Sequence, residues 1–112
     1  MKVIRSSVGK GLRAARLSRN LSQEEFDSVS GRTYVSELER GQKMPTVVKI
    51  DQLAALMQLH PLTVLALSYC KTPSAREAAT VMSRVSSELH DVFVALTERE
   101  KLLLEAKKQR RS

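Results

Sequence analysis

The stretch LSQEEFDSVSGRTYVSELERG, Leu21 to Gly41, decides the fold. Ser22 stands three residues before Glu25, the S/T-x-x-E arrangement in which two side chains satisfy free backbone N–H groups at a helix start. A helix is therefore expected from about Gln23. Farther on, Val35 and Leu38 lie three apart on one helical face, and Gly41 offers the left-handed backbone that ends helices. Between them lies Asp27-Ser28-Val29-Ser30-Gly31, which is short for a helix end plus a turn. The reading that fits stops the first helix near Ser28 and leaves Val29-Ser30-Gly31 as the connection, a length such turns use. Val29 then plugs the space beneath the turn, and Gly31 accepts whatever backbone angle the path demands. The second helix of the pair is expected over Arg32 to Glu39.

Working outward, SSVGKGLRAARLSRN reads as a preceding helix with Val8, Leu12 and Ala15 on one face. After the loop GQKMP, Thr46 caps a helix whose Ile50, Leu53, Ala54 and Met57 form a core stripe. His60-Pro61 marks another start, because proline is at home in a first helical turn. KTPS is the one convincing linker, and Ser74 can cap a helix beyond it. From there Ala78, Met82, Val85, Leu89, Val92 and Leu96 alternate steps of four and three, a heptad-like seam on a long helix. Arg99 falls on that seam, and Thr97 with Glu100 forms a second capping box, so a kink or restart is expected there. The basic tail KKQRR reads as a disordered, solvated end.

Bulk composition narrows the function. The 112 residues fit one ordinary domain with an appendage, and 42% hydrophobic residues suffice for a core. Glycine is rare and helical spacing prevails, so the chain is expected to be all-α. A net charge of +7 and a pI near 10.0 point to a polyanionic partner, nucleic acid before membrane. Aromatics at 4% without tryptophan argue against a stacking platform for single strands. Cys70 stands alone, so no internal disulfide forms, consistent with a reducing cytosol. No apolar run approaches the roughly 18 residues of a membrane span, and the N-terminal residues lack a signal peptide's apolar stretch. A cytoplasmic, nucleoid-associated protein of bacterial or phage type is expected.

Five short helices with LSQEEF and SELERG resemble the lambda-repressor/Cro-like helix-turn-helix family, of the xenobiotic-response-element type. The resemblance covers roughly Val8 to Tyr69. It rests on Gly9, Leu12, Arg13 and Arg16, then Ser22-Gln23, then Leu38-Glu39-Arg40-Gly41, then Pro45, Leu53-Ala54 and Leu65. Between Gln23 and Glu39 the chain is about two residues shorter than the family's usual pattern, so the docking angle cannot be carried over, although a short turn still serves.

The resemblance implies a five-helix DNA-binding domain, placed over 1–71, and the seam beyond the linker points to a helical dimerisation region, a long helix or hairpin, over 72–112. In such folds the front of the second helix of the pair enters the major groove. Arg32, Thr33 and Glu37 are the candidates for base edges, since arginine forks onto guanine and glutamate accepts from the cytosine amino group. Glu37 could instead be a tolerated surface charge or a tether for Arg40. Ser22, Gln23, Tyr34, Ser36, Arg40 and Lys43 are candidates for the phosphate backbone or for less defined contacts. Arg16 and Glu39 resemble the family's buried structural ion pair.

Met82, Val85, Leu89, Val92 and Leu96 are expected to form a homodimer interface, with Leu102 and Leu103 extending it. The competing use of that stripe is packing against the chain's own domain. The function expected is a dimeric repressor of double-stranded DNA reading a palindromic operator, with no cofactor. A toxin–antitoxin antitoxin with a protein partner and a structural coiled-coil protein are the alternatives. An enzyme is disfavoured: His60 and His90 lie far apart, Cys70 has no partner at metal spacing, and no glycine-rich phosphate loop occurs.

Overall fold

The computed structural model describes residues 4–72 and 74–111, and among these every regular element is helical. α1 spans Ile4–Ser18. A 3-10 turn, Gln23–Phe26, runs directly into α2, Asp27–Ser30. α3 is Tyr34–Glu39, α4 Val47–Leu56, α5 Pro61–Ser68 and α6 Ala75–Arg111. The expected all-α architecture is present, with a five-helix N-terminal domain followed by a long C-terminal helix. The chain divides into two compact units, Met1–Val81 and Met82–Ser112.

One core holds the first unit. Leu12 and Ala15 of α1, Phe26 before α2, Val35 and Leu38 of α3, Leu53 and Ala54 of α4 with Met57 at its C-terminal end, and Val64 of α5 pack into one buried cluster. Phe26 and Ala54 are wholly buried. α1 runs close to both α3 and α5 because it carries glycine at each crossing. A Cβ on Gly9 would meet the Leu38 carbonyl oxygen, and one on Gly11 would lie 2.8 Å from the Ser68 nitrogen and 2.9 Å from the Val64 oxygen.

Helix ends repeat one device. After α1, α3 and α4 the chain enters the left-handed region at Asn20, Gly41 and Gln58. In each case the next residue's N–H returns to a carbonyl inside the helix: Leu21 to Arg16, Gln42 to Glu37, Leu59 to Ala54. These are Schellman closures, which satisfy carbonyls the helix leaves open. Starts are capped as the sequence predicts. Thr46 Oγ1 accepts from the Lys49 N–H at 3.1 Å, His60 Nδ1 from the Leu62 N–H at 3.0 Å, and Ser22 donates its N–H to Glu25 Oε2 at 2.6 Å.

Three local expectations are corrected. The second helix does not stop near Ser28 but continues to Ser30, so Val29 lies inside it, packed against the core. Lys49 Nζ donates to the Val29 carbonyl at 3.2 Å and Ser30 Oγ to the Phe26 carbonyl at 3.1 Å, which satisfies oxygens of the final turn. The connection is therefore Gly31-Arg32-Thr33, and α3 begins at Tyr34 rather than Arg32. Finally, α6 passes through Thr97 without a break and the basic stretch 107–111 is helical. Thr97 Oγ1 donates to the Phe93 carbonyl at 2.9 Å instead of capping a new start.

No side chain of α6 is buried. Its N-terminus is fixed by Glu77, which accepts from the Thr72 N–H at 2.8 Å and the Thr72 hydroxyl at 2.7 Å, while Ser74 Oγ accepts from the Glu77 N–H at 3.4 Å. Those bonds hold the Glu77 carboxyl below its ordinary range, the Thr72 hydroxyl contributing most. Among the described residues no single helix is long and apolar enough to cross a membrane.

Candidate nucleic-acid interface

The shortened connection is absorbed in two places. A 3-10 helix rises about 2.0 Å per residue against about 1.5 Å for an α-helix. The turn Gln23–Phe26 thus covers more distance with the residues available. Gly31 then turns the chain at φ 90 and ψ 160, a combination that only glycine adopts freely. Beyond it α3 buries Val35 and Leu38, which fixes the opposite face outward.

Arg32 and Thr33 therefore occupy the exposed turn immediately before α3. Thr33 donates its hydroxyl to Glu37 Oε1 at 3.1 Å, and Lys43 Nζ lies 3.3 Å from Glu37 Oε2. Both oxygens of Glu37 are engaged, and its tether is Lys43 rather than Arg40. Arg40 Nε donates to the Ser36 carbonyl at 3.3 Å along its own helix. The structure thus gathers Thr33, Glu37 and Lys43 into one chain of contacts beside Arg32 in sequence.

Tyr34 is half-buried between α3 and the core. The ammonium groups of Lys43 and Lys49 stand 5.8 Å and 5.6 Å from its ring centroid, within cation–π range. Burial pushes the phenol's pKa up while the Lys43 charge pulls it down, with burial prevailing. The hydroxyl stays protonated at neutral pH and can donate to a phosphate oxygen.

Behind this face lies the ion pair of α1 and α3. Arg16 Nε donates to Glu39 Oε2 at 2.7 Å and Nη2 to Oε1 at 2.9 Å, a bidentate fork with side chains only 9% and 4% exposed. Arg16 Nη1 also donates to the Leu21 carbonyl at 2.9 Å, and Gln23 Nε2 to Glu39 Oε1 at 3.1 Å. The hydrogen bonds to Glu39 raise the Arg16 pKa against the opposing desolvation. Gln23 therefore couples the start of the second helix to α3, and Ser22 stays exposed beside it.

Two basic residues have contacts that the sequence did not assign. Lys49 closes α2 and borders Tyr34, and Arg19 donates from Nε to the Met57 carbonyl at 3.1 Å, closing the end of α4. Each acts across a long sequence separation, so no local pattern marks it. Among the described residues no group of three or more His, Cys, Asp or Glu could hold a metal.

Two helices joined by a tight turn, the second braced from behind and preceded by exposed Arg32, define a helix-turn-helix module. The helix-turn-helix family model matches residues 12–64. Over 53 residues the chain is 40% identical to an uncharacterized HTH-type transcriptional regulator, y4dJ, of Sinorhizobium fredii, covering 46% of this chain and 69% of that protein. The chain belongs to the helix-turn-helix family of the lambda-repressor, xenobiotic-response-element type, a class of DNA-binding transcriptional regulators. No solved structure matches it.

Proposed function

We propose that the protein is a dimeric repressor that reads a two-fold-symmetric operator through the major groove and blocks transcription by occupancy. Residues 1–71 bind DNA and 72–112 hold the dimer. The observation that carries this reading is the exposed Arg32-Thr33 turn at the front of a helix whose other face is locked in the core. Arg32 is the principal base-edge residue, with Thr33 beside it. Glu37 reaches a cytosine amino group by exchanging its bond from Thr33. Ser22, Gln23, Tyr34, Ser36, Arg40 and Lys43 serve the phosphates or support that contact. Met82, Val85, Leu89, Val92 and Leu96 supply the dimer seam.

Selection of bound sites from random duplexes tests the reading. A two-fold-symmetric consensus is expected, and Arg32→Ala should cost about 1–3 kcal/mol and relax one position of each half-site. Unchanged affinity and preference in Arg32→Ala would remove this residue from the reading head. A second reading is favoured by Phe93, Val94 and Leu104, which are exposed off the seam: an antitoxin whose α6 covers a protein partner. A small toxin-like reading frame adjoining the gene would support it, and copurification of self alone would count against it.

A further inference from the structure

α6, in which no residue is buried, carries a polarity that its apolar seam alone does not reveal. Continuing the steps of four and three beyond Leu96 puts Arg99, Leu103, Ala106 and Arg110 on the seam. Since α6 is continuous through Arg111, these positions belong to the same face as Met82 and Leu89. A parallel pair of such helices would set Arg99 against its own copy at the centre of the interface, and Arg110 likewise. Like charges directly opposed in a partly dehydrated seam are destabilising. The flanks carry the same bias. Residues 101–111 hold Lys101, Lys107, Lys108, Arg110 and Arg111 against Glu105, whereas 75–88 is balanced, with Glu77 and Glu88 against Arg76 and Arg84.

We infer that α6 pairs with α6 of a second copy in antiparallel orientation, with the two-fold axis near Val94. This rests on the dimer reading above and gives it a direction. With the axis there, Leu96 packs against the other copy's Val92, Leu103 against Val85, and Met82 against Ala106. The midpoint falls in VFVAL, 92–96, where the helix is apolar on every side and where Val92, Phe93, Val94 and Leu96 are 52%, 63%, 49% and 53% exposed. Arg99 then meets Leu89 and its flanking Glu88 rather than another arginine. Glu88 is more than half exposed and holds only a long contact to Arg84 at 3.5 Å, so it is available to that arginine. Each basic end lies along the other copy's charge-balanced start rather than along a second basic end, and the helix dipoles oppose. At about 1.5 Å per residue the two α6 N-termini stand about 57 Å apart, whereas a parallel pair would bring them together.

Spin-label distances on the full chain, with Cys70→Ser removing the native thiol, test the orientation. Labels are placed singly at Ser83→Cys, Val94→Cys and Lys108→Cys, all off the seam. Antiparallel pairing predicts the shortest distance at 94, with axial separations of about 33 Å at 83 and about 42 Å at 108. Short, equal distances at all three positions would overturn the orientation and leave the dimer intact. A monomeric chain with no intermolecular coupling at any position would overturn the orientation and the dimer reading together. Charge exchange gives an independent readout. Glu88→Arg and Arg99→Glu should each loosen the dimer by sedimentation, and the double variant should restore it. Absence of that rescue would exclude the contact that sets the register.

Discussion

Gly31 is the residue on which the shortened motif turns. Its φ of 90 with ψ 160 lies where side chains are strained, yet a Cβ there would meet nothing within 4 Å. Gly31→Ala therefore isolates the backbone effect, and a loss of about 1–3 kcal/mol in denaturant unfolding is expected. The brace behind α3 should respond more strongly. Glu39→Ala leaves the buried Arg16 guanidinium without its fork, which predicts a cost of about 3–5 kcal/mol by the same measurement. Both features were legible in the sequence, Gly31 from its place in a short connection and the Arg16–Glu39 pair from the family resemblance. What Glu37 does was not legible. Its Lys43 contact depends on how the loop after Gly41 folds back, and sequence spacing alone left it as a surface charge or a tether for Arg40.

Helix starts are legible where the signal is local. Ser22 with Glu25, Thr46, and His60 before Pro61 each sit within three residues of the N–H group they serve. The end of α2 lies two residues beyond the expected place because Lys49, twenty residues away, caps it. The expected break at Thr97 is absent for a different reason: 75–111 contains neither glycine nor proline, so nothing compels the helix to stop. Glu77 fixes the start of α6, and its folded pKa is depressed, chiefly by the Thr72 hydroxyl. Its stabilising effect is thus present above the ordinary glutamate range and is lost as pH falls through the lowered folded value. In an NMR titration the Thr72 amide should shift with a midpoint below that of an unperturbed glutamate. A midpoint at or above the ordinary value would contradict the contact.

For the whole molecule, the net charge of +7 sets the generic attraction to DNA, and that attraction must weaken with salt as counterions are released. Not every cation contributes equally. Lys43 is already neutralised in part by Glu37, so it displaces fewer counterions than Arg32, for which no acidic partner is found among the described residues. Glu37→Gln should therefore steepen the dependence of log Kobs on log salt for random duplex. Arg32→Ala should flatten it by about one phosphate contact or less. Fluorescence anisotropy at several salt concentrations measures both, and an unchanged slope in Glu37→Gln would show that Lys43 does not reach the duplex.

A reading face that carries its own counter-charge has a kinetic corollary. On the proposed reading, mismatched sequence leaves the intramolecular pair closed, and the loose grip that results predicts quick departure. A cytosine amino group taken up by Glu37 would compete with Thr33 and Lys43 for its two oxygens, and a lysine freed in that exchange would be available to a phosphate. On that reading, the contact of Lys43 with Glu37 is expected to trade residence on random sequence for speed of search.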